Sequence, residues 1–207
     1  MTKYPSLALS STWQQSLPYI MLIASAVGLV ASLALSYDKM QVLADPTFQP
    51  GCNINPILSC GSVMSTTQAE IAGIPNTFFG LIAFGGLSGV AASLLAGATF
   101  KRWFWIAVHA ISAMGVGFML YLFFQSVFRI HAICPWCFFV WLVTFPVFLA
   151  VSVYTIREHI YHVPRNIIVA LVMYGVQKHP GKILAAWYAV LFGILLTHFW
   201  YYWSTLL

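Results

Sequence analysis

The chain contains four cysteines, and they fall into two local pairs: Cys52 with Cys60, and Cys134 with Cys137. Cys134-Pro135-Trp136-Cys137 is a C-x-x-C that opens a long apolar run. Proline is favoured at the first position of a helix, where an N–H would be unpaired anyway, so Cys134 is expected at the N-cap. The unpaired N–H groups of a helix start favour a negative sulfur, which lowers the pKa of a thiol placed there. Cys137 follows one turn later on the same face, so the two sulfurs can close a tight disulfide. That bond would lie just inside the lipid boundary, open to a small lipid-soluble oxidant and closed to a water-soluble protein.

Cys52 and Cys60 lie in a stretch rich in turn formers: Pro46, Pro50, Gly51, Asn53, Asn55, Pro56 and Gly61. Such a loop is expected to be mobile, meeting a soluble partner and then swinging toward the second pair. Thiol–disulfide exchange requires in-line contact of sulfurs. The expectation is a relay, with one pair facing water and the other facing lipid. An inert staple at Cys52–Cys60 and a four-cysteine zinc site are the competing readings. The wide spacing of the first pair and the membrane depth of Cys137 argue against zinc.

The rest of the sequence has the bilayer as its solvent. Of 207 residues, 61% are hydrophobic and only 6% charged, against about 25% charged in a soluble domain. The net charge of +5 is scattered over short flanks of apolar runs, so no nucleic-acid partner is expected. A membrane-crossing helix needs about 20 apolar residues. Candidate spans are Tyr19 to Ser36, Pro75 to Thr99, Trp103 to Phe128, Cys134 to Ile156 and Ile183 to Leu206. No small-residue cleavage site follows the first, which is read as a retained span rather than a signal peptide. Trp13, Trp103, Trp105, Trp200, Tyr201, Tyr202 and Trp203 mark ends of spans, as an aromatic belt does. The apolar run Ile167 to Val176, after Pro164, is too short to cross upright and is expected in the interface or tucked against the bundle.

With five spans, one side of the membrane carries Lys3, Lys101, Arg102, Arg157, Arg165, Lys178 and Lys182, and the other only Lys39 and Arg129. The side rich in basic residues is expected to be cytoplasmic, with the N-terminus. All four cysteines then lie on the extracytoplasmic face, where disulfides persist. The longest connection, residues 38–74, belongs to that face. Thr67-x-x-Glu70 matches a capping box within it and suggests a short helix over Ser62 to Ala72. Asp38 and Glu70 are read as solvated loop carboxylates. His109 and His198 lie inside spans, and His131 is close enough in sequence to Cys134 to act on a thiolate. Gly85-x-x-x-Gly89, with Gly80 and Gly86, and Gly115 with Gly117, offer smooth helix faces. Pro146 should kink the fourth span.

These features resemble the vitamin K epoxide reductase family, specifically its bacterial members, over about Tyr19 to Tyr154. The residues that carry the resemblance are Cys52, Cys60, Gly61-Ser62-Val63-Met64-Ser65, Asn76, Phe79-Gly80 and Cys134-Pro135-Trp136-Cys137. The DsbB family has its C-x-x-C first and its wide pair second, and is less similar. The resemblance implies an all-α integral membrane protein, a four-helix transmembrane bundle around a quinone, here with a fifth transmembrane helix. The catalytic bundle would occupy residues 1–157, and an interfacial segment with the fifth helix residues 158–207. It implies a disulfide-forming, quinone-dependent oxidoreductase, as opposed to a small transporter or assembly factor with structural disulfides.

Electrons would enter at Cys52 and Cys60 from a DsbA-like or thioredoxin-like protein. Cys60 would exchange with Cys134, and Cys137 would stand next to the quinone, whether menaquinone, ubiquinone or a vitamin K-like molecule. Asn76, by donating from its amide, and Phe79, Trp136, Trp141 and Met64 are the implied quinone contacts. Many bacterial members carry a fused thioredoxin-like domain that these residues lack, so a separate partner is expected. Trp141 stands where some relatives have Tyr, which leaves the choice among quinones open.

Overall fold

Apolar length and the placing of helix breakers determine the architecture. A computed structural model describes residues 12–45, 47–160 and 167–204; Lys3, Pro46, Pro164, Arg165 and Leu206 of the sequence reading lie outside them. The long helices are α1 (Thr12–Ala44), α3 (Asn76–Leu95), α4 (Arg102–Phe124), α5 (Pro135–Arg157) and α7 (Pro180–His198). Between them lie a short α2 (Cys60–Met64), a 3₁₀ turn (Thr67–Ala69), a two-stranded hairpin of β1 (Glu70–Ile71) and β2 (Ile74–Pro75), α6 (Ile167–Lys178) and α8 (Trp200–Trp203). α4 runs on through a π-helical turn, Gln125–Ile130. Among the described residues, five helices are long and apolar enough to cross a membrane, as expected: residues 16–44, 76–95, 102–130, 135–157 and 180–198. This is an all-α integral membrane protein.

α1 packs against α3 and α5, and α5 packs in turn against α4, α6 and α7, so α1 and α5 form the centre. The α1–α3 contact is made where Gly28 lies beneath the Phe84 ring and Gly80 lies against the Ser32 hydroxyl, sites with no room for a Cβ. Of the glycines expected to make a close helix contact, Gly80 does so and the others do not. A Cβ at Gly85, Gly86, Gly89 or Gly117 would meet nothing within 4 Å among the described residues, and one at Gly115 would make only ordinary contact with Thr144. α3 is apolar on all sides, so its glycine spacing alone could not show which face meets α1.

Pro146 sits inside α5 and has no N–H for the carbonyl of Leu142, one turn earlier. A freed carbonyl in an apolar surround needs another donor. Tyr188 of α7 supplies it, its hydroxyl donating to Leu142 O at 2.6 Å. Beside it Trp187 stacks on Phe145, with centroids 4.0 Å apart. His109 is paired with the Ser152 hydroxyl at 2.9 Å and lies on Phe148. α6 is tucked against the bundle: Val176 joins the Phe145 cluster, and Arg157 donates to Gln177 O at 3.1 Å.

The outer connection differs from its expected form. Residues 38–44 are not loop; α1 continues to Ala44, because no glycine or proline interrupts it after Ser36. The Thr67–Glu70 capping box does not form either, since the 3₁₀ turn starting at Thr67 has no side-chain cap. Glu70 lies instead in β1, where the turn at Ala72 and Gly73, both with positive φ, reverses the chain. It reaches Lys39 Nζ at 2.9 Å, and the same ammonium donates to Met64 O at 2.9 Å. Glu70 is therefore one half of a clasp between the outer segment and α1.

Candidate active site

The site is built by two short stretches held side by side. The Asn55 side-chain oxygen accepts from the N–H groups of Ile57, at 3.0 Å, and Leu58, at 2.7 Å. The turn so formed presents residues 57–59 to Ile133. Ile133 N donates to Ile57 O at 2.6 Å and Ser59 N donates to Ile133 O at 3.1 Å, a parallel bridge. Ser59 caps α2 by accepting from Ser62 N at 3.2 Å, and Asn53 Oδ1 accepts from Gly61 N at 2.9 Å. Beneath the bridge, Ile57 and Ile133 share a cluster with Val127, Trp141, Leu195 and the fully buried Phe199. Cys134 follows Ile133 directly, and Cys60 follows Ser59.

Cys60 Sγ and Cys134 Sγ are consequently 3.2 Å apart, with the Cys134 thiol directed at the Cys60 sulfur. Both residues are buried, 0% and 1% exposed. The loop is braced by Asn53, Asn55 and Lys39, and it needs no swing to bring Cys60 to Cys134. Asn53 and Asn55, expected as bending residues, lock the bend with their side-chain oxygens.

Cys52 and Cys60 are joined in a disulfide, with Cα atoms 5.6 Å apart, while Cys134 and Cys137 are free thiols. Cys134 is the N-cap of α5 and Pro135 its first residue. The Cys134 thiol is held below the ordinary thiol range, chiefly by a hydrogen bond from Cys137. The N–H groups of Cys137 and Trp136 help, while burial and the Asp38 charge oppose. Cys137 packs against both the Cys60–Cys134 cluster and the aromatic cluster behind it. Cys52 is half-buried and lines an open cavity of about 360 Å³ with Tyr37, Asp38, Ile54, Trp136 and Phe139.

The remaining residues singled out from the sequence divide by location. Met64 is buried beside Cys60 and Cys134. Trp136 joins that cluster and the cavity wall. Trp141 is packed edge-on against Phe123, centroids 5.0 Å apart, in the cluster under the bridge. Phe79 is 39% exposed on α3. Asn76 opens α3, and its amide nitrogen donates to Gln68 O at 2.7 Å. Its buried Oδ1 has no partner among the described residues. One of the two amide hydrogens is committed by the bond to Gln68, and the Oδ1 acceptor is left over. His131 has a left-handed backbone, and its ring lies 5.4 Å from that of His198; it is not among the groups that set the Cys134 thiol. Asp38, read as a solvated carboxylate, instead has Oδ2 at 3.7 Å from Cys52 Sγ.

The order of the two cysteine pairs, on a helical membrane scaffold with the pairs in contact, agrees with one further finding. The sequence profile of the vitamin K epoxide reductase family matches residues 19–152. The chain belongs to the vitamin K epoxide reductase family. The match begins in α1 and ends within α5, so it takes in all four cysteines and leaves α6, α7 and α8 outside. Membership in the vitamin K epoxide reductase family implies a membrane thiol–disulfide oxidoreductase working with a quinone.

Proposed function

We propose that this protein reoxidises a separate DsbA-like or thioredoxin-like protein, passing electrons through Cys52 and Cys60 to Cys134 and Cys137 and then to a membrane quinone. The observation that carries the reading is the 3.2 Å contact between the Cys60 and Cys134 sulfurs, which links the two pairs in the protein interior. A partner thiolate attacks Cys52, and the electron pair of the broken bond goes to Cys60. Cys60 then attacks Cys134 of an oxidised C-x-x-C, releasing Cys137. The depressed pKa of Cys134 favours its departure when Cys52 later re-forms its bond to Cys60, since the more acidic thiol leaves faster. The partner dithiol loses two electrons and two protons, and a bound quinone supplies the acceptor for both.

Asn76 is the residue best suited to hold that acceptor, because its buried Oδ1, without a partner among the described residues, fits a hydroxyl donor of the reduced ring. Met64, Trp136, Trp141 and Phe79 complete the proposed contacts. Residues 1–157 form the catalytic unit in this reading and residues 158–207 an appended one. The cysteine end faces the extracytoplasmic side of a cell inner membrane, and the N-terminus faces the cytoplasm.

The test combines the purified protein, a reduced peptide carrying a C-x-x-C dithiol and a soluble quinone. One quinol per peptide disulfide is expected, lost on Cys134→Ala or Cys137→Ala. Absence of quinol formation by the unaltered protein, with all four cysteines inert, would identify structural disulfides instead.

A further inference from the structure

The two extra turns of α1 bring a carboxylate to the disulfide. Asp38 Oδ2 lies 3.7 Å from Cys52 Sγ, and both residues line the same open cavity. Cys60, the other end of the bond, is fully buried. A nucleophile arriving through the cavity therefore meets Cys52 and Asp38 together. The nearest cation in sequence, Lys39, is turned away to Glu70 and Met64 O. The other titratable groups near Asp38 are Tyr37 on the cavity wall and Cys134 at the head of α5, which senses the Asp38 charge.

We infer that Asp38 is a catalytic residue of the thiol-exchange step, carrying a proton between the partner's second thiol and the Cys52 sulfur and fixing Cys60 as the leaving sulfur. The inference rests on the thiol–quinone reading above. In the first exchange the partner thiolate bonds to Cys52 Sγ, the Cys52–Cys60 bond breaks, and its electron pair goes to Cys60. A carboxylate disfavours a second negative charge on the sulfur beside it. The sulfur that carries charge more readily leaves faster. Attack that expelled Cys52 is thus opposed by charge as well as by the burial of Cys60.

The second exchange needs Cys52 to leave, and Asp38 removes the obstacle it creates. The partner's second thiol attacks the partner sulfur bonded to Cys52. Its proton goes to Asp38 Oδ2, the partner disulfide forms, and the electron pair goes to Cys52. Asp38 then returns the proton to the Cys52 sulfur. The carboxylate is regenerated, and the partner has lost two electrons.

The test uses the full chain with Cys60→Ala, which leaves Cys52 as a free thiol, and follows iodoacetamide alkylation of Cys52 against pH by mass spectrometry. Adding Asp38→Asn should move the profile to lower pH, making alkylation at neutral pH roughly tenfold faster. Asp38→Glu, which keeps the carboxylate, should hold the profile near its original place. In the chain with all four cysteines, Asp38→Asn should lower kcat for the reduced C-x-x-C peptide by about 100-fold, the low end for loss of a positioned proton carrier. A profile unmoved by Asp38→Asn, or an unaltered kcat, overturns the inference. Should the unaltered protein reduce no quinone while the alkylation profile still shifts, the quinone reading fails and the Asp38–Cys52 coupling is upheld.

Discussion

Tyr188 donates its hydroxyl to the carbonyl of Leu142 at 2.6 Å, the acceptor that Pro146 deprives of a helical partner. The bond ties α7, outside the family match, to the helix that begins with the active cysteines. α7 reaches the site itself through Leu191 and Leu195, which share a cluster with Ile57 and Ile133 of the bridge, joined there by Phe199 just beyond its end. The fifth span therefore supports the stretch that holds Cys60 against Cys134.

Tyr188→Phe keeps the ring and leaves Leu142 O without its donor. Loss of a buried hydrogen bond of this kind should lower stability by about 1–2 kcal/mol. Thermal unfolding in detergent should show a lower midpoint than the unaltered protein. An unchanged midpoint would mean that the carbonyl finds another donor.

Asn76 offers a second separable effect. Its Nδ2 donates to Gln68 O, and its Oδ1 is buried without a partner among the described residues. If Oδ1 holds the quinone headgroup, Asn76→Leu should raise the quinone KM roughly fivefold, the value of about one hydrogen bond. Exchange between a reduced peptide and the Cys52–Cys60 disulfide, followed without quinone, should keep its rate. A quinone KM that stays the same removes Asn76 from the site.

The spans and the cysteine pairs were legible because their signals are local. Twenty apolar residues require a membrane whatever they pack against, and a C-x-x-C followed by an apolar run carries its own helix start. What was hidden depended on residues far apart in sequence. Lys39 and Glu70 meet across 31 positions of sequence, which no pattern around Lys39 announces. Asn53 and Asn55 have the residue type of flexible turns, and only the fold brings their acceptors to the N–H groups of Gly61, Ile57 and Leu58. The place of Asp38 has a local signal: the stretch after Ser36 contains no glycine or proline before Pro46, so nothing ends α1 ahead of it. The face that α3 shows to α1 was not legible, because all its faces are apolar.

Orientation has its own test. The proposed orientation, cysteines outside, rests on seven basic residues on one side of the spans against two on the other. A membrane-impermeant thiol reagent added to reduced intact cells should label Cys52 before the buried Cys60 and Cys134. Labelling of Cys52 only after the inner membrane is opened would reverse the topology.

The contact between Cys60 and Cys134 is the centre of the account, and one trapping measurement addresses it directly. In Cys137→Ala, Cys134 has no C-x-x-C partner and lies 3.2 Å from the sulfur of Cys60, which is bonded to Cys52. Attack of Cys134 on Cys60 forms a Cys60–Cys134 bond and frees the more exposed Cys52, which iodoacetamide then captures irreversibly. Non-reducing peptide mapping of the oxidised variant after alkylation should show the Cys60–Cys134 cross-link and carboxamidomethyl Cys52 accumulating together. Persistence of the Cys52–Cys60 bond, with no cross-link to Cys134, would contradict the relay.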